Sequence, residues 1–272
     1  MVVGVGFEPT NARSGRIYSP HPLATWIPYQ LRKGEIVREI LGLARPLSRQ
    51  KKIFQGLLES DSLAMITSMC PFPGKSVVGL TGGIACGKSA ALEIFLKNGW
   101  EAISTDQLAA EILATDQTVR EQLLGRWKNE VFDERGIVDK RRIAEIVFNE
   151  TRERSWLEGV LHPLIREAWR EKIESTDQSL FVVEIPLLFE NDLQSHFVRT
   201  ISLFASRELQ HQRLLERGLS DHQANARIDS QMAPERKAEL ADVVLLGSGS
   251  LEFLERQVLL FLNAFSEKQP QP

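Results

Sequence analysis

The pattern of hydrophobic and polar positions changes character near residue 74. Residues 1 to 30 hold four of the twelve prolines (Pro9, Pro20, Pro22, Pro28) and no sustained period, which predicts an irregular segment carrying Trp26 and Tyr29. Residues 31 to 64 have helical spacing in pieces, first Ile36, Ile40 and Leu43, then Ile53, Leu57 and Leu58, with Pro46 between them. "CPFPGKS" at 70 to 76 reads as a linker. From residue 77 short β-branched or apolar runs alternate with longer periodic ones. Strands are predicted at 77–80, 100–104, 180–189, 198–204 and 241–247. Helices are predicted at 88–98, 106–125, 139–148, 151–175, 206–217, 220–230, 234–240 and 250–266, with a turn at "FDERG", 132–136. Strands separated by helices imply an α/β fold: an open, mostly parallel sheet with helices on both faces, three layers in all. The helical stretch 106–175 is too long for a plain crossover and reads as an inserted substrate-binding subdomain.

Composition narrows the class only a little. The chain has 272 residues, 43% of them hydrophobic and 25% charged, with a formal net charge of -3. That balance is unlike a basic nucleic-acid binder, although local arginines can still meet an anionic substrate. Cys70 and Cys86 make no disulfide framework, and no apolar run approaches the roughly 18 to 20 residues that span a bilayer. The first residues lack the layout of a signal peptide. The expectation is a cytoplasmic protein, a monomer by default, with neither nucleic acid nor membrane as partner.

One stretch carries specific chemistry. In "VVGLTGGIACGKSA", residues 77 to 90, the spacing G-x-x-x-x-G-K-S is met by Gly82, Gly87, Lys88 and Ser89, between a predicted strand and a predicted helix. Backbone N–H groups along Gly82, Gly83, Ile84, Ala85, Cys86 and Gly87, and at the helix start through Lys88, Ser89 and Ala90, would cradle phosphates. Lys88 would reach the β and γ phosphates of a bound ATP or GTP, and Ser89 would give its hydroxyl to Mg²⁺. Cys86, beside a lysine and a helix start, reads as a thiol of lowered pKa, open to oxidation or alkylation. In "ISTDQLAAE" Asp106 follows the second strand at the carboxyl edge of the sheet. It can be a catalytic carboxylate, or an N-cap of the next helix, or both.

Beyond these residues the chain resembles the dephospho-CoA kinase family over 77 to about 266. The landmarks are "LTGGIACGKS", "ISTDQLAAEI", "HPLIREAW" at 162–169, "EIPLLFE" at 184–190, "RLLERG" at 213–218, "ARIDSQM" at 226–232 and "ADVVLL" at 241–246. The resemblance leaves residues 1–74 uncovered and implies a kinase-like domain over about 75–269, with a helical insertion at about 107–175 and a lid at about 206–232. It implies ATP-dependent phosphorylation of the ribose 3'-hydroxyl of dephospho-CoA, giving coenzyme A and ADP with Mg²⁺ as cofactor. Asp106 takes the family's catalytic carboxylate position. Arg213, Arg217 and Arg227 resemble the arginines of a lid that closes on the phosphates. Lys140, Arg141 and Arg142 stand where one cation would meet the acceptor's phosphate. His162 matches the family's "HPL" element, either as a structural histidine or as a substrate contact. Leu187, Leu188 and Phe189 would line the wall against the acceptor, flanked by Glu184 and Glu190.

Two departures stand out. The family often has Asp-x-Asp after the second strand, where this chain has Ser104 before Asp106. It also has an asparagine after the last strand, near the adenine, where this chain has Gly247. The competing readings are another P-loop nucleoside or nucleotide kinase and a non-catalytic nucleotide-binding protein. Met65 and Met69 are alternative starts, and removal of residues 1–69 is expected to leave activity largely unchanged.

Overall fold

The computed structural model describes residues 71–266. The irregular and helical expectations for residues 1–64, Cys70, and the alternative starts at Met65 and Met69 lie outside the described residues. Strand β1 (Ser76–Gly82) is buried along its whole length, as suits a central strand covered on both faces. It pairs in parallel with β3 (Leu180–Glu184), Val77 opposite Phe181 and Leu80 opposite Glu184. On its other side it pairs in parallel with β4 (Arg199–Phe204), ending with Gly82 opposite Leu203. With β2 (Glu101–Ser104) and β5 (Val243–Leu246) the order is β2-β3-β1-β4-β5. Helices flank this sheet, and the α/β class expected from the alternating pattern is the one observed.

The chain divides into two compact units, Ile103–Asp177 and the remainder of the described core. In the core, α1 (Lys88–Lys97) and α9 (Leu251–Ser266) pack on each other. Phe95 meets Trp100 and Phe261 edge-to-face with ring centroids 5.3 and 5.9 Å apart, and Trp100 and Phe261 lie tilted to each other at 6.4 Å. Edge strand β5 is closed by a side chain: Gln257 Oε1 accepts from Leu246 N–H at 2.9 Å and its Nε2 donates to Leu246 O at 3.0 Å. The amide thus stands in for a neighbouring strand. Helices α6 (Arg207–Glu216) and α7 (Asp221–Asp229) form a hairpin held by Arg207–Asp229 at 2.6 Å and His211–Asp221 at 2.9 Å. The short α8 (Pro234–Leu240) follows.

The unit Ile103–Asp177 is helical. The stretch 106–125, expected as one helix, is two: α2 (Thr105–Thr115) and α3 (Gln117–Trp127). Asp116 breaks it, because its carboxylate accepts from Val119 N–H at 2.8 Å and so starts a new helix. Asp139 likewise caps α4 (Lys140–Asn149), which packs on α5 (Thr151–Glu174). The "FDERG" turn closes as expected, with Asp133 Oδ1 accepting from the N–H groups of Arg135 and Ile137.

A second boundary differs in a way that matters for function. The apolar run 180–189, expected as one strand, stops being strand at Glu184. Pro186 has no N–H to give a ladder, so the segment turns away while Ile185, Leu187, Leu188 and Phe189 stay buried.

Candidate active site

The site grows from the carboxyl end of β1. Gly82 has φ 146°, and a methyl there would sit 2.5 Å from Leu203 O, so no side chain fits as the chain leaves the sheet. The loop ends at Gly87, in the left-handed region with φ 99°, which is the N-cap of α1. Helix α1 has no acidic residue in its first turn and no side-chain cap, so its N-terminal N–H groups and positive end stay available to an anion. Lys88, Ser89 and Ala90 are its first three residues. Lys88 is half-buried, and its Nζ donates to Gly82 O at 3.2 Å and Gly83 O at 3.0 Å. The ammonium is therefore already folded back over the loop. Ser89 is exposed, and Ala90 packs its methyl against the core cluster.

What orients the loop is a helix that the sequence suggested for another purpose. From α6, Gln210 Nε2 donates to Ile84 O at 2.7 Å, and Arg213 Nη1 donates to Ala85 O at 2.9 Å. Holding these two carbonyls toward α6 turns the N–H of Ala85 the opposite way, because C=O and N–H point apart across a trans peptide. Ala85 itself has φ 59°, in the left-handed region. Its methyl packs with Leu214, Ala224 and Ile228, so the apex of the loop rests on the base of the α6–α7 hairpin.

Arg213 thus differs from the lid cation of the sequence reading. It is 5% exposed and uses both guanidinium ends on main chain, the second donating to Gly247 O at 2.6 Å. It staples the phosphate loop to the turn after β5. Replacing it with methionine would leave two buried carbonyls without these donors, at about 1–3 kcal/mol each. Arg213→Met is expected to lower the unfolding free energy by a matching amount, read as a lower urea midpoint at unchanged slope, and to weaken ATP binding. Arg217, one turn on and just past the end of α6, is exposed, and Arg227 on α7 is half-buried, with its pKa lowered by burial. The pair Arg213/Arg217 does not share one environment.

Gly247 also acquires a reason. A methyl on it would lie 1.8 Å from Cys86 O, so the turn after β5 closes directly on the loop's backbone. Installing the family's asparagine in this backbone requires the loop to move. Gly247→Asn is therefore expected to raise KM for ATP and lower the melting temperature, as read by steady-state kinetics and thermal denaturation. Cys86 is corrected too. Its thiol is wholly buried, and burial raises its pKa, outweighing the lowering effect of Lys88. It is an inert thiol that fills space under the loop, not a reactive one.

Sequence reasoning missed a buried ion pair beside the loop. Lys237 of α8 has no exposed surface, and its Nζ donates to Glu190 Oε1 at 2.9 Å and to Pro186 O. Its pKa is lowered by burial, and the neighbouring Glu190 works against that shift. Pro186 O also accepts from Thr81 Oγ1 at 3.1 Å, and Glu190 Oε1 also accepts from Met232 N–H at 3.0 Å. Of the residues expected to line an acceptor wall, Leu188 is fully buried and lies over Gly79 of β1, where a methyl would meet its Cδ1 at 2.7 Å. It belongs to the core. Leu187 and Phe189 are buried at 4% and 7% exposure.

In the helical unit, Asp106 is half-buried in the first turn of α2, whose N-cap is Ser104. Asp106 is inside the helix, so it is not the cap. Lys140 opens α4. Arg141 is exposed and 3.8 Å from Asp139, and Arg142 donates to Phe132 O at 2.9 Å and Glu130 O at 3.3 Å. Arg142 therefore braces the preceding turn. His162 is half-buried in α5, and burial, then Arg166, lowers its pKa, which favours the neutral imidazole at neutral pH. Among the described residues no three His, Cys, Asp or Glu side chains gather as a metal cluster, and no helix is long and apolar enough to cross a membrane. A single hydroxyl, Ser89, suits Mg²⁺ that keeps phosphate oxygens and waters for its other ligands.

The comparisons with known proteins agree with this geometry. The family model described as Dephospho-CoA kinase matches residues 76–252. A dephospho-CoA kinase of Synechococcus sp. (strain JA-3-3Ab) is 35% identical over 211 residues, covering 69% of this chain and 92% of that protein. One from Thermosynechococcus vestitus is 36% identical over 183 residues, covering 66% and 90%. Among solved structures, TT1252 from Thermus thermophilus aligns with a TM-score of 0.62 at 31% identity, covering 72% of this chain and 99% of that one. The dephospho-CoA kinase from Campylobacter jejuni aligns at 0.55 and 30% identity, covering 71% and 98%. The chain is a P-loop kinase and belongs to the dephospho-CoA kinase family.

Proposed function

We propose that the protein transfers the γ-phosphoryl group of ATP to the ribose 3'-hydroxyl of dephospho-CoA, giving coenzyme A and ADP, in the cytoplasm. The observation that carries this reading is the stapled phosphate loop, Lys88 within it and an uncapped α1 behind it, in a chain of this family. The loop's N–H groups and the start of α1 bind the β and γ phosphates. Lys88 exchanges its two carbonyl partners for phosphate oxygens. Ser89 would hold Mg²⁺, which when bound offsets phosphate charge. Asp106 orients the acceptor hydroxyl and takes its proton as the phosphoryl group moves. Arg217 and Arg227, on or beside the α6–α7 hairpin, meet charge on the transferring oxygens, for which planar guanidinium donors are suited. Residues 103–177 serve as the acceptor-binding insertion, with Lys140, Arg141 and His162 as its polar contacts, and Leu187 and Phe189 contribute apolar surface.

An ADP-release assay with dephospho-CoA set against a panel of nucleosides and nucleotides tests the acceptor. Turnover confined to dephospho-CoA is expected. Turnover of a nucleoside in its place would assign the chain to a different P-loop kinase activity.

A further inference from the structure

The buried pair Lys237–Glu190 sits at the crossing of three chain segments. Lys237 Nζ holds Pro186 O and Glu190 Oε1, and Glu190 Oε1 holds Met232 N–H, two residues before α8 and three after α7. Pro186 O is also held by Thr81, the residue that precedes the phosphate loop. The sequence Thr81, Pro186, Lys237, Glu190, Met232 is therefore an unbroken line of hydrogen bonds. It runs from the root of the phosphate loop, through the segment after β3, to the C-terminal end of the α6–α7 hairpin.

Stability alone is a poor reason for these charges. A fully buried ion pair costs desolvation that its own attraction offsets only in part, and two apolar side chains would fill the same space as well. The polar satisfaction is also incomplete. Glu190 Oε2 is buried with no hydrogen-bond partner among the described residues, an arrangement that costs free energy in a purely structural plug. What charges add here is direction: each end of the pair grips a different backbone atom.

We propose that Lys237 and Glu190 are positioning residues that transmit the state of the α6–α7 hairpin to the Pro186–Phe189 segment, so that nucleotide binding sets the acceptor side of the site. The naming of that side rests on the function proposed above. The relay itself does not, since it concerns nucleotide and backbone alone.

The full-length protein is compared with Lys237→Met, Glu190→Gln and the double variant by hydrogen exchange, with and without a non-hydrolysable ATP analogue and Mg²⁺. In the wild type the analogue is expected to slow exchange in both the 217–232 and 186–193 peptides. In Lys237→Met and in the double variant only 217–232 is expected to respond. Equal slowing of 186–193 in wild type and double variant, or none in the wild type, would overturn the relay.

Kinetics give the second arm. Lys237→Met is expected to lower kcat/KM for dephospho-CoA by about 10²-fold, the scale of a small misplacement of a reacting group. The double variant, free of an unpaired buried charge, is expected to regain thermal stability while its acceptor kinetics stay impaired. Recovery of both together would mark the pair as structural and overturn the proposal. A wild type that ignores dephospho-CoA refutes the function proposed above, and the exchange data then decide the relay alone.

Discussion

Lys88→Met is expected to lower the rate of phosphoryl transfer by about 10²–10³-fold, the usual loss when one fixed donor to developing charge is removed. The structure explains why so few compensations exist. Lys88 Nζ is held over the loop by Gly82 O and Gly83 O, so its cation already lies at the loop and has those two acceptors to exchange for phosphate oxygens. Methionine preserves the length and apolar character of the stem, so α1 and the fold are expected to survive unchanged. A circular dichroism spectrum and melting temperature like the wild type's, together with a collapsed kcat, would separate the chemical loss from a folding defect. Weakened ATP affinity with unaltered kcat would show that Lys88 binds ground state and transition state equally.

Asp106→Asn is expected to lower kcat by about 10²–10⁴-fold, the range for loss of a general base. Asparagine keeps the shape and can still orient a hydroxyl, but it cannot take the proton. Because Asp106 lies in the first turn of α2 and Ser104 is the N-cap, the substitution removes no helix cap. It does remove a carboxylate favourably placed at a helix N-terminus, at about 0.3–1 kcal/mol. A modest stability change with ATP binding intact and catalysis lost is the predicted pattern. Retained kcat would reassign the base.

The fold was legible because short, mostly apolar runs alternate with longer periodic ones, and the phosphate loop because its spacing is a geometric requirement of the strand-to-helix turn. The errors have physical causes. The run 180–189 looked like one strand because hydropathy does not register that Pro186 lacks a donor, or that a buried segment can be irregular once Thr81 and Lys237 satisfy its carbonyl. Helical periodicity runs through Asp116 because its capping bond depends on a local turn that apolar periodicity does not reveal.

At the site, type and spacing placed Lys88 and Ser89 at the end of the glycine-rich loop, where they lie, but did not reveal that Arg213 is buried. An arginine reads as exposed by composition, and only its position in the packed helix shows otherwise. A usable signal existed. In α6 the buried positions are Gln210, Arg213 and Leu214, and in α8 they are Pro234, Lys237 and Ala238, both an i, i+3, i+4 stripe. A polar residue at an apolar register position marks a buried polar partner, and here those partners are the phosphate loop and Glu190. Reading register ahead of hydropathy would have found Gln210, Arg213 and Lys237 together.

The central claim is that this stapled loop serves transfer to dephospho-CoA. The most direct measurement is product identification after incubation with ATP, Mg²⁺ and dephospho-CoA, by mass spectrometry and by the product's use in a coenzyme-A-dependent acyl transfer. The predicted result is coenzyme A, phosphorylated at the ribose 3' position, formed in step with ADP. ADP release with dephospho-CoA recovered unchanged, or phosphate found at another position, would contradict it.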